Sequence, residues 1–72
     1  MQLTDNEGAQ KYLWIADFDS ENGPYSLEIP AADIDEAHRR AVMRRENALD
    51  KLKSVKIRRN ADGNPVIWPA IA

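Results

Sequence analysis

The chain has 72 residues, 43% of them hydrophobic and 31% charged, with a formal net charge of −2 and no cysteine. That length allows one domain near the lower limit for a self-sufficient core, and that hydrophobic content excludes a chain disordered throughout. Disulfides and thiolate metal sites are excluded outright, and the polar start MQLTDNEGAQ offers neither a secretory segment nor a spanning helix, so a cytoplasmic protein without membrane contact is expected.

Residues 1–10 lack hydrophobic periodicity and read as a loose N-terminal arm. From Lys11 to Phe18 the run K-Y-L-W-I-A-D-F is rich in aromatic and branched residues, which favours a strand. Asp19-Ser-Glu-Asn-Gly-Pro24 is a turn cluster, and Tyr25-Ser-Leu-Glu-Ile29 alternates apolar and polar residues. Residues 11–29 are therefore predicted to form a β-hairpin. Pro30 closes it, and Asp33 with Glu36 three positions later reads as a capping box opening a helix over 34–53. Val55-Lys-Ile-Arg-Arg59 alternates again, Asn60-Ala-Asp-Gly-Asn-Pro65 carries an Asp-Gly turn signal, and Val66-Ile-Trp68 closes a second predicted hairpin over 55–68.

The resulting expectation is one α+β domain over 1–72: a two-layer ββαββ fold, with an antiparallel sheet of two hairpins and one long helix packed on one face. At 100° per residue, Ile34, Ala37, Ala41, Ala48, Leu49 and Leu52 share one helix side, and this small-residue stripe lets the helix lie close to the sheet. Tyr12, Trp14 and Phe18 on one strand face, with Tyr25, Leu27 and Ile29 beside them, would fill the space, which makes Trp14 a core residue. Leu13 and Ile15 fall on the opposite face and are candidates for an apolar contact, a homodimer among them.

Charge is unevenly distributed. Residues 1–36 carry nine carboxylates against one lysine, whereas residues 37–72 carry nine basic residues against three acidic ones. Either the halves neutralise each other within the fold, or they present charged surfaces to a partner. In HRRAVMRRE the (i, i+4) spacings Asp35→Arg39 and Glu36→Arg40 supply intrahelical partners worth roughly 0.2–0.5 kcal/mol each. Arg44 has no acidic neighbour at that spacing and sits beside an outward-facing Met43, whereas Arg45 and His38 fall toward the core side. Arg39, Arg40, Met43, Arg44, Arg58 and Arg59 are thus the basic candidates for partner binding. Asp17, Asp19 and Glu21, around the first turn, are the acidic ones.

No chemistry-bearing constellation accompanies them. There is a single histidine, and Ser20, Ser26 and Ser54 lie in no nucleophile motif; neither a metal-ligand spacing nor a cofactor motif occurs. A non-enzymatic protein with no catalytic residue, metal or cofactor is expected.

A cysteine-free, charge-rich chain built from a hairpin, a helix opened by an acidic cap and a second hairpin resembles the small proteins of phages and mobile elements. Among these it is similar to anti-CRISPR proteins, over residues 11–68 and in architecture and charge. That resemblance implies an inhibitor that binds a host protein or ribonucleoprotein defence complex and blocks its engagement of nucleic acid. Tyr12–Pro30 followed by DIDEAHRRA also resembles the hairpin-then-helix of HicB-type antitoxins, without an appended DNA-binding domain. The alternative expectation is accordingly a small nucleic-acid-binding or antitoxin-like regulator using the basic C-terminal half, and a dimer module using Leu13 and Ile15 is a third.

Overall fold

The computed structural model describes residues 10–69, so the N-terminal arm lies, except for Gln10, outside the described residues. The protein is α+β, an antiparallel sheet of four strands with one helix. The elements follow as β1 (Lys11–Asp19), β2 (Tyr25–Ala31), α1 (Ile34–Arg44), β3 (Lys51–Ile57) and β4 (Ile67–Trp68).

The long central strand β1 organises the sheet. It pairs with β2 from Tyr12↔Ala31 to Phe18↔Tyr25, across a turn in which Ser20 Oγ donates to the Gly23 carbonyl at 2.7 Å and Gly23 adopts φ 112°. A residue with a side chain is strained at that angle, so glycine suits the position. On its other edge β1 pairs first with β3 and then with β4. Both run antiparallel to β1, so β4 continues the line of β3 instead of folding back beside it. Leu13 holds the junction: its carbonyl accepts from Arg58 N and its N–H donates to the Val66 carbonyl, both at 2.9 Å. The expected hairpin over 55–68 is present only at its tip, where Arg59 pairs antiparallel with Pro65, Val66 N donates to the Arg58 carbonyl at 3.0 Å and Asn60 N to the Asn64 carbonyl at 2.9 Å. The strands β3 and β4 themselves pair with β1. Residues 59–65 leave the sheet as a small closed loop, with Asn60 Oδ1 accepting from Asp62 N and Asn64 N and Gly63 at φ 85°.

The helix starts where its sequence says it should. Asp33 is the N-cap, its Oδ1 accepting from Glu36 N at 2.8 Å, and Glu36 Oε1 accepts in return from Ala32 N at 2.7 Å. This is a capping box whose return bond reaches one residue further back than usual. The helix ends nine residues earlier than the predicted Lys53, at Arg44. Arg45 turns extended (ψ 148°), and the following loop is held by polar groups: Glu46 N donates to Tyr25 Oη, Asn47 N to Asp50 Oδ2, and Leu49 N to Asn47 Oδ1. Ala48, Leu49 and Leu52 consequently leave the expected helix stripe. Leu52 belongs to β3, where a bulge opposite Asp17/Phe18 lets both Leu52 and Val55 pack toward the core. Their three-residue spacing mimics a helical period.

The core draws side chains from both the helix and the sheet. Ala16, Phe18, Ile29 and Ala41 are fully buried and form one cluster, with Trp14, Tyr25, Leu27, Leu52 and Val55 packed against it. Phe18 stacks on Tyr25 with ring centroids 5.1 Å apart. Trp14 is a core residue whose indole N–H donates to the Ala31 carbonyl at 2.9 Å. Ala37 and Ala41 are the helix residues at zero exposure, so the small-residue approach holds for the middle of α1. Ile34, placed on the same stripe, stays 42% exposed, and His38 is exposed and not at the core edge.

Because Ala41 is fully buried in the core cluster, Ala41→Leu is expected to destabilise by about 1–3 kcal/mol, whereas Val42→Leu one position on, at 40% exposure, should change little. Urea denaturation of the two variants checks this. Glu36 gives a pH-dependent prediction. The Ala32 N–H, then Arg40 and Lys11, hold its carboxyl below the ordinary 4.5 despite burial. A carboxyl depressed on folding adds stability above its unfolded pKa, lost as pH falls through the folded value. The gap in urea midpoint between wild type and Glu36→Gln should be largest at neutral pH and shrink below about pH 4.5.

Candidate functional site

Three surfaces carry the candidate residues, and the fold separates them. The first is the outer face of α1. Asp33 caps this helix and Glu36 anchors it, so its orientation is set from below: the Glu36 carboxylate accepts from Arg40 Nε at 3.0 Å and Nη2 at 2.9 Å, with Lys11 Nζ at 3.6 Å. Arg40 is therefore committed to its expected (i, i+4) partner. The corresponding Asp35–Arg39 pair does not form. Arg39 and Arg44 have no ion-pair partner among the described residues. Together with Arg40 and Met43 they line a shallow hollow of about 510 Å³ whose floor is Glu36. Met43, 84% exposed, is the most exposed large hydrophobic residue described. A polarizable thioether between two unpaired guanidinium groups combines apolar contact with fixed positive charge.

The second surface is the sheet face turned away from the helix. Alternation along β1 puts Leu13, Ile15 and Asp17 there. Asp17 accepts from Ser26 Oγ at 2.5 Å and from Ser54 Oγ at 2.9 Å, one serine from each neighbouring strand. The Ser26 bond, then the Ser54 bond, hold its carboxyl below the usual range. Asp17 is thus tied into the sheet and is not a free carboxylate. Leu13 and Ile15, expected to lie uncovered, are half-buried. Arg58 on one flanking strand and Glu28 on the other form an ion pair across the central strand that carries both apolar residues. Arg59 turns onto its own loop, donating to the Gly63 carbonyl at 2.9 Å. The basic candidates do not assemble on one surface: Arg39, Arg40 and Arg44 are on α1, whereas Arg58 lies just past β3 beside Leu13 and Arg59 is on its own loop.

The third surface is that hairpin end. The turn at Ser20–Asn22 and the loop at 46–50 enclose a hollow of about 360 Å³ lined by Glu21, Glu46, Asn47, Leu49 and Asp50. Asp19 is ion-paired to Lys53 at 3.7 Å, with both side chains more than half exposed. Glu21 and Glu46 are exposed and have no ion-pair partner among the described residues. Beneath them Tyr25 Oη donates to Asp50 Oδ2 at 2.5 Å while accepting from Glu46 N. Desolvation, then the bond to Asp50, pushes the Tyr25 hydroxyl above its usual pKa. This network holds up Leu49, 78% exposed and lining the same hollow as the two glutamates.

Leu49 and Glu46 are absent from the sequence-derived candidates because that stretch reads as continued helix. The available signal was Asn47-Ala-Leu-Asp50, whose Asn and Asp favour turns. Among the described residues, no group of three or more His, Asp or Glu side chains is placed to hold a metal ion, and no helix is long and apolar enough to cross a membrane.

The Tyr25 hydroxyl serves both the loop backbone and Asp50, so Tyr25→Phe is expected to lower the melting temperature. It should also raise amide exchange at Glu46 and Asn47 while leaving α1 amides at 37–41 protected. Compared with protein-family models, with curated proteins and with solved structures, the chain has no significant match in any of the three.

Proposed function

We propose that this protein is a non-enzymatic binding module that docks the outer face of α1 on an acidic surface of a protein partner in the cytoplasm of a bacterial cell. The observation that carries this reading is the grouping of Arg39, Met43 and Arg44: two guanidinium groups with no ion-pair partner among the described residues, beside a methionine that is 84% exposed. Arginine and methionine are enriched at the centres of protein interfaces, and unpaired arginines at a desolvated centre carry much of the energy. In a two-layer ββαββ arrangement with the helix on one sheet face, the outer side of α1 is the surface left to present.

The specific form proposed is an anti-CRISPR-like inhibitor, which would occupy a defence complex and prevent its engagement of nucleic acid. A protein partner is favoured over direct nucleic-acid binding because the basic residues of the C-terminal half do not share a face. Along β3 and just past it, Arg58 is occupied by Glu28, Lys53 by Asp19 and Arg59 by its own loop, so on that side a phosphate backbone would meet only Lys51 and Lys56 without an ion pair among the described residues. The acidic alternative is weaker for a parallel reason: Asp17 is engaged by two serines and Asp19 by Lys53.

An immobilised chain tests this against a bacterial lysate. Wild type should retain a protein complex that Arg39→Glu/Met43→Asp/Arg44→Glu loses and that Arg58→Ala/Arg59→Ala keeps. Equal retention by wild type and both variants would reject the helix face. Binding of the purified protein to DNA or RNA oligonucleotides at low salt, abolished by the same triple variant, would assign the face to nucleic acid instead.

A further inference from the structure

The two most exposed large hydrophobic residues described are Met43 and Leu49, and each sits in a setting of opposite charge. Met43 lies between the unpaired Arg39 and Arg44. Leu49 lines one hollow with the exposed Glu21 and Glu46. Arg45 alone separates Arg44 from Glu46 in the chain, so the basic face of α1 and the acidic hairpin end meet at one corner of the molecule. A surface carrying both halves of a complementary pair, side by side, fits a second copy of itself.

We infer that this corner is a self-association surface, on which the Arg39–Met43–Arg44 face of one protomer meets the Glu21–Glu46–Leu49 hollow of another. Adjacency of the two patches permits a two-fold arrangement in which each protomer contributes both, so the contact closes at a dimer and does not propagate as a filament. Each unpaired guanidinium then gains a carboxylate, and Met43 and Leu49 leave water against the partner's apolar stem atoms. Lys51, on the rim beside Asp19 and Glu21, sets a limit on the acidic patch. Lys53 is already neutralised by Asp19. With two like charges on each patch and one apolar anchor in each, the dimer is weak, forms at high protein concentration, and weakens as salt screens its exposed charges.

The Leu13/Ile15 sheet face is a poorer dimer surface because both residues are half-buried beneath the Arg58–Glu28 pair. This inference concerns the purified chain alone, so its failure leaves the partner reading standing, and the reverse also holds.

Sedimentation of the purified full chain at high concentration, in low and high salt, tests the inference. Wild type should approach dimer mass at low salt and revert to monomer at high salt. Arg39→Glu/Arg44→Glu and Glu21→Lys/Glu46→Lys should each be monomeric in both, with the far-ultraviolet spectrum of wild type. Mixed in equal amounts, the two variants should restore a dimer, because one then presents only acidic patches and the other only basic ones. The chain carrying all four substitutions should dimerise by itself. A monomer at every wild-type condition overturns the inference. So does a dimer that survives either reversal, or a failure of the mixture to re-associate. A dimer abolished by Ile15→Lys alone would move the interface to the sheet and overturn it equally.

Discussion

One buried carboxylate, that of Glu36, joins the two layers of this protein. It accepts from the backbone just past β2 and from Arg40 one helical turn on, and it is ion-paired with Lys11 at the start of the central strand. Helix start, hairpin end and the first residue of β1 are thereby tied to a single group at 4% exposure. A buried carboxylate this well supplied with donors is tolerated, whereas the same group unpaired would cost several kcal/mol. Its position sets the direction in which α1 leaves the sheet, and hence which side of the helix faces water.

Alanine sets the distance between the layers. With Ala37 and Ala41 against the sheet, Phe18 and Ile29 fill the space that larger helix residues would take, and the helix lies close enough for its opposite side to stay solvated. The short helix matters as much as its packing. Because α1 stops at Arg44, the chain turns across the hairpin end, held there by Tyr25 and Asp50. That turn places Leu49 in one hollow with Glu21 and Glu46, beside the arginine face. The proposed docking face and the proposed self-association corner both depend on that early termination.

How much of this was legible in the sequence varied with the kind of signal. The first hairpin was, because its alternation, turn residues and closing proline agree, and so was the helix start, through Asp33 and Glu36. The helix end was not. Leu49 and Leu52 continue an apparent three-to-four-residue period, and the β-bulge that turns Leu52 and Val55 to the same side also yields a three-residue spacing. The second hairpin was legible only at its tip, where Arg59 pairs with Pro65. Asp62-Gly63 does make a turn, but whether the strand after it folds back on β3 or resumes along β1 is decided by which partner edge is free, and no local residue reports that. The arginines divided in the same way. Arg40 found its partner by spacing alone, whereas Arg58 found Glu28 across a strand thirty positions away in the chain.

Periodicity, turn chemistry and capping are local, and so the sequence by itself determined the class of fold, the hairpin, the start of the helix and the aromatic-against-alanine core. Pairing across β1, the early end of α1 and the choice of which charges are neutralised depend on contacts between distant residues, and only the tertiary structure decided them. Arg39, Arg44, Glu21 and Glu46 are among the charges that this selection left without an ion-pair partner among the described residues. The surface available to a partner is what remains after the fold has used the other charges for itself.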